Sequence, residues 1–188
     1  FQFIPKISLT TYSNYVYFRQ DKTPNVAADA NLISQIGGEI NLFLPTNKTL
    51  GYGFHFKNEV IYTEVSGAQS DVFRIPTTFL NMKAYWEGSW FKHTIPVQIG
   101  IDVHHKSAYY ANAYDPVTQQ FYLQNDEKIY EGYSYPANLF WNMRIEKVFL
   151  FIKSTHISQP NDGGYFVTPK YPGQQRALDF GFKWLFFD

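Results

Sequence analysis

Residues 95–104 read IPVQIGIDVH, and this stretch decides the fold class. Aliphatic side chains occupy every second position, and Gln98, Asp102 and His104 fall between them. Successive side chains of a β-strand point to opposite faces of a sheet. The stretch therefore predicts a strand with one apolar face and one polar face.

The same alternation recurs before and after this stretch. Seven further segments show it, namely residues 6–20, 31–44, 52–63, 78–90, 137–147, 148–159 and 178–186. It is weak in the first of these, and weak in residues 148–159 because Phe149 and Phe151 break the parity. Helical periodicity covers no useful length. The chain is therefore predicted to be all-β, with eight strands.

Connections between the predicted strands alternate in length. The short ones are residues 45–50, 91–93 and 146–147, and the long ones are residues 21–30, 65–77, 107–136 and 160–176. Long and short connections then fall at opposite ends of an antiparallel sheet. Bacterial outer-membrane barrels place short turns in the periplasm and long loops outside. Under that rule both ends of this chain are periplasmic.

Composition favours strands whose two faces differ. The 188 residues include 18 Phe, 15 Tyr and 4 Trp, yet hydrophobic residues make up only 45% and the mean hydropathy is −0.31. Basic and acidic residues number 16 each, so no net charge points to a nucleic acid partner. No apolar run approaches the ~18 residues of a spanning helix. The absence of cysteine excludes disulfides and thiolate metal sites.

Alternation alone does not separate a barrel in lipid from a soluble β-sandwich. The polar faces of the predicted strands carry charges of both signs in mid-strand. Several of these strands also reach the ~10 residues of a tilted membrane crossing. The apolar faces carry aromatic residues typical of interfacial girdles, namely Tyr15, Tyr17, Tyr52, Tyr62, Trp86, Trp90, Trp141 and Trp184. We therefore predict an antiparallel up-and-down transmembrane β-barrel over residues 1–188, or a segment of one. A soluble eight-stranded barrel or sandwich is the alternative.

Residues 179–186 read DFGFKWLF, which is polar-x-Gly-x-x-aromatic-x-aromatic. This order resembles the β-signal by which outer-membrane barrels are recognised for assembly, and Gly181, Trp184 and Phe186 would carry it. Most such barrels end on an aromatic residue, whereas here Phe187 and Asp188 follow. An ordinary amphipathic terminal strand is the alternative interpretation.

Further motifs bring the chain close to one family. They are FRIP at 73–76, YYANAYDP at 109–116 with Phe121 after it, YFVTPKYP at 165–172 and WLFFD at 184–188. With these motifs, the chain from about residue 54 to residue 188 resembles the C-terminal third of the proteins of one porin family of Bacteroidota. Members of that family are longer than this chain and are predicted outer-membrane barrels whose substrates are mostly undefined. The resemblance implies a barrel in the outer membrane and names no solute.

Catalysis and metal binding have only weak candidates. A Ser-His-Asp arrangement needs the imidazole between the carboxylate and the hydroxyl. Asp102 and His104 share a face, but Ser107 has the opposite parity, which favours a polar lining over a triad. Gly37-Gly38 and Gly51-x-Gly53 lack a following helix and are predicted to be strand kinks, not phosphate loops. We predict no enzyme, no metal and no cofactor.

The polar faces of the strands supply the predicted lumen lining. By parity it includes Glu39, His55, Lys57, Glu59, Lys83, Glu87, Asp102, His104, Arg144, Glu146, Asp179 and Lys183. Charges of both signs predict cross-strand ion pairs and at most weak ion selectivity. Eight strands closed alone would have a filled interior, whereas a larger barrel would hold an aqueous channel. The family resemblance and the mid-chain character of Phe1 favour the larger barrel.

The third long connection is rich in tyrosine, with Tyr109, Tyr110, Tyr114, Tyr122, Tyr130, Tyr133 and Tyr135. We expect these rings to pack a loop over the barrel mouth or to join the outer girdle, with recognition of a glycan or protein as the alternative. Two functions follow: passive diffusion of small hydrophilic solutes, or a non-conducting scaffold or partner in an outer-membrane complex. The expected partners are outer-membrane lipid, the barrel assembly machinery and other outer-membrane proteins.

Overall fold

The computed structural model describes residues 1–91, 93–130, 135–159 and 165–186. In this part of the chain the strands are β1 (Gln2–Tyr12), β2 (Tyr15–Phe18), β3 (Pro24–Ala27), β4 (Asn31–Asn47), β5 (Tyr52–Ser66), β6 (Thr78–Trp90), β7 (Ile95–Lys106), β8 (Ala113–Asp115), β9 (Gln120–Tyr122), β10 (Ala137–Ile145), β11 (Val148–Thr155), β12 (Phe166–Thr168), β13 (Tyr171–Pro172) and β14 (Ala177–Trp184). Eight of them form the main sheet, in the order β1-β4-β5-β6-β7-β10-β11-β14. All its neighbours pair antiparallel. The predicted all-β meander of eight strands is confirmed.

The register of the main sheet gives it one continuous apolar face. Paired residues point to the same side, so apolar positions of neighbouring strands form rows. Two such rows, near opposite edges of the sheet, are Ile7–Ile36–Tyr62 and Trp141–Ile152–Phe180. Ile7 is 76% exposed and Phe180 is 81% exposed. Large apolar side chains on this face are therefore left in contact with the surroundings of the protein.

The first predicted strand, residues 6–20, is wrong in its second half. β1 ends at Tyr12, and the backbone turns at Asn14, whose φ of +56° lies in the left-handed region that asparagine tolerates. β2 then joins a different sheet. Tyr15 and Tyr17 therefore lie outside the apolar face of the main sheet, where they were expected. β11 also ends earlier than predicted, at Thr155.

The main sheet is open, so the described residues do not confirm the expected barrel. β1 pairs only with β4, and β14 pairs only with β11, so these two strands are its edges. An edge strand presents a row of unpaired backbone N–H and C=O groups. The structure therefore shows an antiparallel sheet with two free edges among the described residues.

The short turns use backbone conformations with positive φ. The turn between β10 and β11 has two residues, and Glu146 in its first position has a φ of +49°. Glu146 thus lies in this turn and not on the polar face, where parity placed it. Gly51, predicted as a strand kink, lies in the turn between β4 and β5 with a φ of +71°.

The described parts of the four long connections lie at the other end of the main sheet and contain secondary structure of their own. We call residues 13–30, 67–77, 107–130, 135–136, 156–159 and 165–176 the long-loop layer. Within it, β3-β2-β9-β8 form a four-stranded sheet, and β12 pairs with β13. A short 3₁₀ turn covers Ser70–Val72. No helix in the described part of the chain is long and apolar enough to cross a membrane.

Candidate functional site

The polar face of the main sheet gathers eleven of the twelve side chains predicted to line a lumen. Register partners form rows across the strands, for example Glu39, Glu59, Asn81 and His104 on β4 to β7. The eleven are Glu39, His55, Lys57, Glu59, Lys83, Glu87, Asp102, His104, Arg144, Asp179 and Lys183. Glu146 is the exception, because it lies in a turn. We therefore take this face as the candidate site.

Lys6 joins a cluster of charges that the sequence analysis did not include. Glu39 and Glu59 are register partners, so two like charges face each other across β4 and β5. Lys6 Nζ lies 3.5 Å from Glu39 Oε2 and donates a hydrogen bond to Glu59 Oε1. Asn41 Nδ2 also donates to Glu39 Oε1, over 2.8 Å. The alternation of Lys6 with apolar residues in β1 was the signal that could have identified it.

One more ion pair and one contact between a histidine and a carboxylate connect neighbouring strands. Lys83 Nζ lies 3.9 Å from Asp102 Oδ1, and His55 Nε2 lies 3.8 Å from Glu87 Oε2. All four side chains are partly exposed, so each pair contributes little to stability. The predicted cross-strand ion pairs are present, and they balance much of the charge on this face.

A row of rings crosses the middle of the polar face. It runs from Phe43 through His55 and Tyr85, past Gly100, to Phe140. The His55 ring stacks on both Phe43 and Tyr85, with centroids 4.6 Å apart at each step. Tyr85 and Phe140 are buried although the sheet is open, and Lys83 Nζ lies 4.5 Å from the centroid of the Phe140 ring. The rings of this row therefore pack against one another across the strands, and the Lys83 side chain lies over the row at Phe140.

Phe149 and Phe151, which break the alternation of β11, also lie on the polar face. Phe151 is the register partner of Gly181 and covers it with its ring, while the Arg144 guanidinium lies 5.1 Å from the Phe149 ring. Arg144, Phe149 and Phe151 line a cavity of about 630 Å³, together with Glu87, Pro96, Val97, Gln98, Asn142, Met143, Leu150 and Lys183. This end of the face thus combines exposed rings with cations and amides.

Contacts between all four long connections hold the long-loop layer together. They include the parallel bridge of Phe18 with Tyr122, the Lys22 Nζ–Asp115 Oδ1 pair at 3.4 Å, the hydrogen bond from Arg74 Nη2 to Asn125 Oδ1 at 2.7 Å, and the ring pairs Tyr15–Phe73 and Tyr114–Tyr171. The buried Gln124 amide donates to the carbonyl oxygens of Ala111 and Glu127. The layer is therefore ordered by side-chain contacts as well as by strand pairing.

Ionisable groups in the long-loop layer respond to these contacts. Burial raises the pKa of Asp115, but hydrogen bonds from Thr118 and Lys22 and the Lys22 charge outweigh it, so that the pKa lies below its usual value. Burial lowers the pKa of Arg74 against the opposing effect of Asp71. Both groups are charged at neutral pH, and Asp115 keeps its attraction for Lys22.

The predicted tyrosines of the third connection mostly pack within the layer. Tyr109, Tyr110, Tyr114, Tyr122 and Tyr130 are half-buried, Tyr135 is 55% exposed, and Tyr133 lies outside the described residues. Burial raises the pKa of Tyr109 and of Tyr130, so both phenols stay protonated at neutral pH. Packing over a barrel mouth stays a prediction.

The residues weighed as a catalytic set have separate partners. Asp102 faces Lys83, whereas the Ser107 hydroxyl accepts a hydrogen bond from the backbone N–H of Thr78 over 3.0 Å. His104 donates its backbone N–H to the carbonyl oxygen of Pro136 over 2.9 Å. Ser107 therefore closes the end of β7 against β6.

The residues of the predicted assembly signal lie on and after the edge strand β14. Gly181 is on the polar face, and Trp184 is on the apolar face opposite Val148. Phe186 follows the strand and stacks on Trp184, with centroids 4.8 Å apart. Phe187 and Asp188 lie outside the described residues. The role of this segment in assembly stays a prediction.

Comparison with known proteins identifies a family for this arrangement. No curated protein and no solved structure matches the chain. The family described as "Putative porin" matches it over residues 1–188, which is its full length here. The porin resemblance drawn from the loop motifs and the final strand is thereby confirmed. The chain belongs to this porin family.

Proposed function

We propose that the main sheet is part of the wall of an outer-membrane β-barrel through which small hydrophilic solutes diffuse passively. The observation that carries the proposal is the division of the sheet into two continuous faces. One is predominantly apolar across all eight strands, and the other carries charges of both signs. Lipid on the first face and water on the second would satisfy both.

The free edges support closure by further pairing. In hydrocarbon an unpaired backbone N–H or C=O costs several kcal/mol, so only closed β-sheets are stable there. Within the described part of the chain, β1 and β14 each have one unpaired side. We infer that both edges are paired in the membrane, within a barrel larger than these eight strands. β14 then joins the wall as the strand that carries the assembly signal.

Conductance measurements test the channel. The purified protein, inserted in a planar lipid bilayer, is expected to give discrete conductance steps with weak preference between cations and anions, because the polar face carries charges of both signs, several of them in ion pairs. Heat-denatured protein is the control. Silence across a range of salts and voltages, in protein shown to be inserted, would exclude diffusion through it.

The long-loop layer favours a second candidate function, that of a non-conducting barrel subunit in an outer-membrane protein complex. Its ordered sheet leaves Val16, Val117 and Phe121 exposed at the end opposite the short turns, by 63%, 89% and 54%. Exposed apolar side chains in an ordered layer suit protein contacts. Isolation of a stable complex by native purification, together with absent conductance, would support this function.

A further inference from the structure

A second cavity lies where the polar face passes beneath the long-loop layer. It has a volume of about 290 Å³ and is lined by Phe79, His104, Lys106, Tyr130, Pro136, Asn138, His156 and Tyr165. His104 and Lys106 come from β7 and Asn138 comes from β10, whereas Tyr130 and Tyr165 come from the third and fourth long connections. The strands thus form its floor and the loops form its roof.

Three basic side chains, those of His104, Lys106 and His156, line the cavity, and none of its described lining residues is Asp or Glu. The nearest carboxylates along the strands have cationic neighbours: Asp102 lies 3.9 Å from Lys83, and Asp179 is the register partner of Lys153. The neighbouring cavity on the polar face differs, because Glu39, Glu59 and Asp102 line it along with Lys57, Lys83 and His104. Positive charge is therefore concentrated beneath the long loops.

Side-chain contacts fix the positions of the donors around this cavity. The His156 backbone N–H donates to Asn138 Oδ1 over 3.0 Å, and its ring stacks on Tyr165 with centroids 5.3 Å apart. Lys106 Nζ lies 5.5 Å from the centroid of the Tyr130 ring. Ammonium, imidazolium and phenol groups are donors suited to an oxyanion.

We propose that this cavity binds an oxyanion, such as the phosphate, sulfate or carboxylate group of a small solute. The inference rests on the proposed function only for the route by which the anion reaches the cavity. Lys106 supplies an ammonium group, and His156 supplies a charge that depends on pH. The cavity would hold anionic solutes briefly at one end of a face whose other charges are of both signs.

Acidification strengthens this binding. Burial, followed by the charges of Lys153 and His104, lowers the pKa of His156, so its imidazole is largely neutral at neutral pH. Lys106, Tyr130 and Tyr165 also border the cavity. An anion bound in the cavity favours protonation of the His156 imidazole, which burial and the nearby positive charges oppose. Anion binding is therefore coupled to proton uptake, and its affinity rises as the pH falls through the titration range of histidine.

Isothermal titration of the full chain in detergent with sodium sulfate tests the site. Sulfate keeps its charge over the whole range, and sodium chloride holds the ionic strength constant. We expect saturable binding at about pH 5.5, weaker by about tenfold at about pH 8, which is the effect of one charge-assisted hydrogen bond. Absence of saturable heat at both pH values would overturn the proposal.

Matched variants localise the binding. We expect Lys106→Gln to weaken sulfate binding at both pH values, and His156→Gln to reduce its pH dependence. Lys57→Gln, on the same face but outside this cavity, should leave binding unchanged, and heat-modifiable migration in gels checks that each variant is folded. Equal binding by all three variants would contradict the site. The titration needs no conduction, so sulfate binding by a protein that is silent in bilayers would preserve this site and exclude only the channel.

Discussion

Glycine and phenylalanine meet three times on the polar face. Gly53 lies against Phe43, Gly100 lies under Phe140, and Gly181 lies under Phe151. A strand glycine leaves backbone uncovered, and a ring from the neighbouring strand can cover it. This contact explains why Phe151 points to the polar side and breaks the alternation of β11. One strand read alone could not predict it, because the glycine that the ring covers lies on another strand.

The glycines differ in what surrounds them, which gives a paired prediction. A Cβ at Gly100 would lie 2.5 Å from the carbonyl oxygen of Ala84 and 2.4 Å from Tyr85 Cβ, neither of which can move easily. A Cβ at Gly181 would meet only the outer atoms of the Phe151 ring. We expect Gly100→Ala to lower the free energy of unfolding by about 1–3 kcal/mol, and Gly181→Ala to lower it less. Urea unfolding in detergent measures both, and equal losses would contradict the assigned contacts.

Lys6 separates two carboxylates that face each other. We expect Lys6→Gln to lower the urea midpoint of unfolding, because Glu39 and Glu59 then repel each other as register partners. Adding Glu59→Gln to that variant should restore part of the midpoint, and added salt should reduce the difference. Lys48→Gln, in a short turn, is the control. A midpoint that does not change in Lys6→Gln would show that the cluster has no effect on stability.

At the scale of elements, alternation predicted the strands of the main sheet better than the layer above it. β6 begins and ends where the alternation does, at Thr78 and Trp90. The sheet within the long-loop layer was missed because its strands are only three or four residues long and pair across the chain. β2 and β9 meet through Phe18 and Tyr122, which no local pattern connects. The break at Asn14 was missed for a related reason, since a single left-handed residue leaves the alternation around it almost intact.

The segment after β14 gives a prediction about assembly. Phe186 is 70% exposed and lies beyond the last register pair of the strand, so its main contact is the Trp184 ring. Phe186→Ala should therefore cost at most about 1 kcal/mol of stability in detergent. If the segment is an assembly signal, the same substitution should reduce the amount of protein in the outer membrane severalfold. Phe166→Ala, an exposed phenylalanine of β12, is the control, and equal membrane levels for the two variants would exclude the signal.

At the scale of the whole molecule, the sequence predicts which residues lie on each face of the main sheet. It does not predict how the sheet closes into a barrel. Parity correctly grouped Lys57, Lys83 and Asp102, since a period of two fixes the face of every residue once the register is set. The prediction that Glu146 lies on the polar face was wrong, because parity cannot show where a strand ends. Closure depends on the partners of β1 and β14, and the pairing of an edge is not encoded in the alternation of its own side chains.

Two neighbouring positions on β1 test whether lipid covers the apolar face. Ile7 and Ser8 are both exposed and point to opposite sides of the sheet, Ile7 toward Ile36 and Ser8 toward Gln35. If the sheet were surrounded by water on both sides, Ile7→Lys and Ser8→Lys would have similar small effects. With hydrocarbon on the apolar side, Ile7→Lys should lower the stability of protein folded in phospholipid vesicles by about 2–4 kcal/mol at mid-membrane depth, and Ser8→Lys by less than about 1 kcal/mol. Urea titrations in vesicles measure the difference. Equal losses of stability would indicate that water contacts both faces of the sheet. The proposed channel would then lose its support, because both the barrel and its position in the outer membrane are inferred from the apolar face.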